Sequence, residues 1–90
     1  VAETSITVHY WAGARAAAGT SQDILDAPAP ITLADVMARA MALHPGTRLG
    51  DVLAVCSTLV DDRPTASEDA AEVMVRPGQA VQFLPPFAGG

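Results

Sequence analysis

Between Ile6 and Trp11, apolar Ile6, Val8 and Tyr10 alternate with Thr7, His9 and Trp11. A period of two turns one set of side chains toward a core, so this segment predicts a half-buried first strand. Ala12-Gly13-Ala14 and Ala18-Gly19-Thr20 then bracket an alanine-rich stretch with too few large apolar residues to anchor a helix, which reads as a hairpin connection. Ser21 to Ala27 is predicted as the second strand, with Ile24 inward and Leu25 at the edge. Pro28 and Pro30 lack an N–H and end it. From Leu33 the period changes: Leu33, Val36, Met37, Ala40, Met41 and His44 share one helical face. Thr32 stands where its hydroxyl can accept an amide hydrogen at the start of this helix, and Asp35 faces the positive end of its dipole. Pro45-Gly46 forbids continuation. The pattern predicts no other helix.

Val52 to Cys56 is a short apolar run bounded by Asp51 and Ser57, the pattern of a central strand covered on both faces. Leu59-Val60 reads as a brief strand, Asp61-Asp62-Arg63-Pro64 as a loop and Val73 to Val75 as another short strand. Pro77-Gly78 supplies a turn. Ala80 to Leu84 is the last strand, with Val81 and Phe83 facing one way. The expected fold is α+β: a mixed four- to five-stranded sheet with one main helix packed on one face.

Ninety residues can cover a single hydrophobic core, and with 50% hydrophobic and 17% charged residues the chain is not of disordered composition. A net charge of −5 argues against a phosphate-tracking surface and hence against nucleic acid; a basic protein partner is the better complement. Of the ten acidic residues, Asp61, Asp62, Glu68, Asp69 and Glu72 lie close together. They read as a solvated loop, with a partner-steering patch as the other reading. All five basic residues are arginine, so the chain offers no lysine amine. The single Cys56 allows no internal disulfide and no cysteine-held metal centre, which fits a reducing cytoplasmic setting. There is no apolar run near the ~18 residues needed to cross a bilayer. The start at Val1 predicts trimming at that end, with residues 1–4 as a loose segment.

The chain closes on Pro85-Pro86-Phe87-Ala88-Gly89-Gly90. Two prolines cannot donate to a ladder, so the tail is expected to leave the sheet in an extended form. Six extended residues reach roughly 20 Å, far enough for a terminal carboxylate to enter a partner's active site while the body docks outside. Gly89 and Gly90 would thread a narrow channel, and the Gly90 carboxylate is unhindered for reaction with ATP. This divides the chain into a body, residues 1–84, and a flexible tail, residues 85–90.

Phe83-Leu84-Pro85-Pro86-Phe87-Ala88-Gly89-Gly90, Tyr10-Trp11-Ala12 with Arg15 and Gly19, and Thr58-Leu59-Val60 together resemble the β-grasp, ubiquitin-like sulfur carriers, most closely the small subunit of molybdopterin synthase. The resemblance implies a carrier with no catalytic side chains and no bound cofactor of its own, active only with a large subunit. It implies that a ubiquitin-activating-type adenylyltransferase spends ATP to adenylate Gly90 and that a sulfurtransferase then supplies sulfur. The resulting thiocarboxylate gives sulfur to cyclic pyranopterin monophosphate within the synthase. Pro85, Pro86, Phe87, Ala88 and Gly89 become the partner-binding tail. Cys56-Ser57 and Pro77-Gly78-Gln79 depart from the pairs and turns common in that family, and 61–75 is longer than in its short members.

Several readings stay open beside this one. Arg15 is either a contact for a partner's carboxylates or a solvated loop arginine. Cys56 reads as a small buried hydrophobe, with a sulfur relay as its rival. His9 and His44 lie on different elements, so no metal site is expected; His44 is placed to meet the helix dipole. Phe87 is expected to enter a partner's pocket, with packing against its own body as the other reading. The alternatives for function are a carrier for cysteine or thiamine (thiazole) synthesis, a ubiquitin-like protein modifier, and an interaction module with an inert tail.

Overall fold

The structure, a computed structural model, describes residues 4–65 and 68–86. Its main sheet has five strands: β1 (Ser5–Tyr10), β2 (Gln22–Asp26), β4 (Ser57–Val60), β5 (Arg63–Pro64) and β7 (Ala80–Leu84), in the order β2-β1-β7-β4-β5. A second pair joins β3 (Ile31–Thr32) to β6 (Met74–Val75). Three helices accompany them: α1 (Ala12–Ala18), α2 (Leu33–Leu43) and α3 (Leu49–Leu53).

The alternation in β1 and β7 does what its period implies. Ile6, Val8 and Tyr10 on β1 and Val81 and Phe83 on β7 are buried, and the two strands run parallel with Tyr10 opposite Phe83. β7 is flanked on its other side by antiparallel β4, so the mixed sheet has its parallel pair at the centre. Helix α2 sets Leu33, Val36 and Ala40 into the core, and the Thr32 hydroxyl accepts the Asp35 N–H at 3.1 Å. This is the N-cap that the sequence predicts.

Four expectations are corrected. The alanine-rich connection is helix α1, closed by Gly19 at φ +76°. Ala14 and Ala18 are buried, and α1 packs against α3, where small side chains allow close approach. Large apolar residues were not needed because alanine has the highest helix propensity and a neighbour supplies the core. Second, 52–56 is not a central strand: α3 covers its first two residues, a turn follows, and β4 begins at Ser57. A short apolar run suits a buried helix turn as well as a strand. Third, the phase of β2 is reversed, with Leu25 buried and Ile24 63% exposed. Pairing with β1 decides this, since Leu25 stands opposite Ile6 and Ile24 opposite Thr7. Fourth, Arg63-Pro64 is a two-residue strand paired with β4.

The acidic segment is partly fastened. Asp61, at φ +53°, accepts from the Ala80 N–H at 3.0 Å and from the Gln79 side-chain amide at 2.9 Å, and Glu68 pairs with Arg63. Among the described residues no helix is long and apolar enough to cross a membrane.

Candidate functional site

The strand that leads into the tail is an interior strand of the sheet. β7 carries a ladder on each side, and beyond Tyr10 the Trp11 N–H donates to the Phe83 carbonyl at 3.0 Å. The Trp11 indole N–H donates to the Gln82 side chain at 3.1 Å on the outer face of the sheet, and Ser57 lies opposite Leu84. The strand stops at Leu84 because Pro85 and Pro86 have no N–H to continue it, and both are exposed. Phe87, Ala88, Gly89 and Gly90 lie outside the described residues.

Beneath this exit lies a polar cluster that sequence reasoning missed. Asp23, on the core-facing side of β2, accepts the Tyr10 hydroxyl at 2.8 Å and meets His44 Nε2 at 2.5 Å with the same carboxylate oxygen. The His44 ring stands edge-on to Tyr10, and Tyr10 lies roughly parallel to Phe83. Burial pushes the Tyr10 phenol well above its ordinary pKa, and the hydrogen bond and charge of Asp23 push it further. One chain of contacts thus runs from the end of α2 through Asp23 and Tyr10 to Phe83, two residues before Pro85. His44 is the C-cap of α2, at the helix end expected for it, and its ring also meets a carboxylate. Nothing in the local sequence signals this, because Asp23 and His44 are 21 residues apart.

The remaining candidates are dispersed. Arg15 is exposed on α1, beside a shallow recess it lines with Ala12, Gly19 and Thr20. Its carbonyl closes the helix by accepting the Gly19 N–H. Cys56 sits half-buried between α3 and β4, and burial raises its thiol pKa. A thiol held protonated is a poor nucleophile, which counts against the relay reading. Among the described residues no three His, Cys, Asp or Glu side chains gather as metal ligands do. The arrangement is a braced strand end, followed in the described residues by exposed Pro85 and Pro86.

Comparison with known proteins bears on the family and the fold. The ThiS family model matches residues 8–90. The molybdopterin synthase sulfur carrier subunit of Aspergillus niger is 30% identical over 87 residues, spanning 97% of this chain and 96% of that protein. The solution structure of small archaeal modifier protein 1 from Methanosarcina acetivorans matches with a TM-score of 0.76 at 19% identity, covering 100% of both chains. The complex of subunits 1 and 2 of the molybdopterin-converting factor from Helicobacter pylori contains a chain that matches with a TM-score of 0.61 at 20% identity, over 96% of this chain and 99% of that one. At such identities the two structures speak for the fold.

Proposed function

Because this chain belongs to the ThiS family and is a sulfur carrier of that β-grasp type, we propose that it carries sulfur for molybdopterin synthesis on Gly90. The observation that carries the pathway assignment is the 30% identity, along nearly the whole chain, to a carrier subunit of molybdopterin synthase. The adjacent Pro85-Pro86 agrees with it.

In this reading an adenylyltransferase of the ubiquitin-activating type joins the Gly90 carboxylate to AMP, releasing pyrophosphate from ATP. A sulfurtransferase persulfide then displaces AMP, and reductive cleavage of the S–S bond by a thiol leaves a thiocarboxylate. The large subunit receives the tail, sulfur passes to cyclic pyranopterin monophosphate, and the Gly90 carboxylate is regenerated. The Helicobacter pylori relative is seen in complex with a second subunit, which supports a large-subunit partner here. The body holds and presents the tail, while the partners supply the reacting side chains. The exposed prolines after Leu84 support a division into a folded body and a tail that enters the partner. Pro85, Pro86, Phe87, Ala88 and Gly89 would occupy the partner's channel, and Arg15 would meet carboxylates on the docking partner.

Likeness to an archaeal modifier protein keeps a second reading in play, in which the activated end is joined to lysines of other proteins. With no lysine in its own sequence, the chain could not build self-linked polymers through side-chain amines.

The test is intact mass after incubation with ATP, the cognate activating enzyme and a sulfur source. A thiocarboxylate is expected; its absence, with no acyl-adenylate either, would refute the carrier assignment of Gly90. Conversion of cyclic pyranopterin monophosphate by the thiocarboxylated chain plus the large subunit then tests the pathway. Activity confined to thiazole or cysteine synthesis would overturn it.

A further inference from the structure

The net charge of −5 is not spread evenly over the domain. β7 gives the axis: its last residue, Leu84, precedes the tail, and its first, Ala80, marks the opposite end. At the Ala80 end stand Asp61, whose carboxylate accepts the Ala80 N–H, and its neighbour Asp62. Asp26 is there too, because it lies opposite Ser5 at the start of β1, and β1 runs parallel to β7. Helix α2 brings its C-terminal His44 to Tyr10, at the other end of β1, so its first turn with Asp35 lies toward the acidic end.

The Leu84 end has the other sign. The Trp11 N–H donates to the Phe83 carbonyl and α1 starts at the next residue, so α1 begins beside the end of β7. Two shallow recesses flank the exposed Ala16: Ala12, Arg15 and Gly19 line one, and Gly13 and Arg48 line the other, where α1 packs against α3. No aspartate or glutamate lines either recess. Arg15 and Arg48 are exposed, and among the described residues neither guanidinium has a hydrogen-bond or ion-pair partner, whereas Arg39 is spent on the Asp26 carbonyl and Arg63 on Glu68. Asp51, on the turn after Arg48, makes no ion pair with it.

Resting on the reading that the tail enters a partner, we propose that this face of α1, framed by Arg15 and Arg48, is where the partner's rim docks, and that the segment laid on it is acidic, with a carboxylate for each guanidinium. Charge complementarity selects that occupant. A guanidinium presents a fork of donors that matches a carboxylate. Two positive groups with no negative group lining the recesses beside them attract an acidic segment and repel a basic one, although the chain as a whole is negative. Two arginines are too few to follow a nucleic-acid backbone. Gly13 and Ala16, both exposed, have no bulk to hold a partner's backbone away. The division of charge also sets a direction of approach: an acidic rim repels the Ala80 end and draws in the Leu84 end, so the domain arrives tail first.

The experiment measures binding of the full-length chain to the large subunit of molybdopterin synthase by calorimetry, from about 50 to about 300 mM salt. The expected result is an affinity that falls as salt rises, with a loss of roughly tenfold or more at low salt for Arg48→Glu and for Arg15→Glu. Both side chains are exposed, so the variants keep the fold, which circular dichroism checks. Arg76→Glu makes the same change of net charge at the Ala80 end, beside the turn whose Gly78 N–H donates to the Ser5 carbonyl, and is expected to bind like the wild type. Wild-type affinity in Arg48→Glu, an affinity indifferent to salt, or an equal loss for Arg76→Glu would each overturn the proposal. The carrier reading is scored separately, by the mass of the Gly90 product. A chain that gains sulfur and binds the large subunit whatever stands at position 48 refutes this docking face alone; a wild-type chain that does not bind refutes the pathway reading and this inference with it.

Discussion

Replacing Asp23 with alanine tests whether the cluster against the end of β7 braces the fold. The Tyr10 side chain is almost wholly buried, so its hydroxyl loses its acceptor with little water to replace it. An unsatisfied buried hydroxyl costs about 1–3 kcal/mol. His44 loses its partner too, but it is partly exposed and regains water, adding about 1 kcal/mol. The expected loss is therefore about 3 kcal/mol, which in a domain of this size lowers Tm by roughly 15 °C. Asp23→Asn keeps an oxygen for the phenol and should lose about half as much. Urea and thermal unfolding followed by circular dichroism give both numbers. A loss for Asp23→Ala below about 1 kcal/mol would refute the argument, since it would mean that the phenol finds another partner or does not need one.

The same cluster predicts an alkaline limb in stability. Tyr10 is the sole tyrosine, its folded pKa is raised, and its unfolded value is about 10. The stabilisation is fully present below about pH 10 and is lost as pH rises, because the unfolded chain releases the proton first. Tyrosinate absorbance should be absent from the native protein at pH 10.5 and emerge with unfolding, and Tyr10→Phe should flatten the limb; native ionisation near 10 would contradict this. Thr32→Ala removes the cap of α2 and should cost about 1 kcal/mol, read as a shift in the chemical-denaturation midpoint. Cys56 should react with iodoacetamide at neutral pH more slowly than a free cysteine, as burial raises its pKa; an equal rate would count against that. Deleting Gly89-Gly90 should abolish thiocarboxylate formation while moving Tm by no more than about 2 °C, measured by calorimetry.

The legible parts of the fold were those where one period was unambiguous. β1, β7 and α2 each carry a clean repeat, and the Thr32 cap sits where its residue types put it. Ile24 and Leu25 are adjacent and both apolar, so alternation alone cannot say which faces inward; the register with β1 does. Helix α1 was hidden because its packing relies on small residues meeting α3, a partner that had itself been read as a strand. One error supported the other. The terminal motif was plain in the sequence, whereas Asp23 was not, since its role exists only after β2 and the end of α2 have met.

The central place of β7 bears on how the domain answers to force. A partner that grips the last residues and draws them inward pulls along the axis of a strand held by β1 on one side and β4 on the other. Such a load falls in shear on all the rungs of two ladders at once. A tail attached to an edge strand would instead be peeled away one rung at a time, so a pull on the end of β7 would load the sheet without unzipping it.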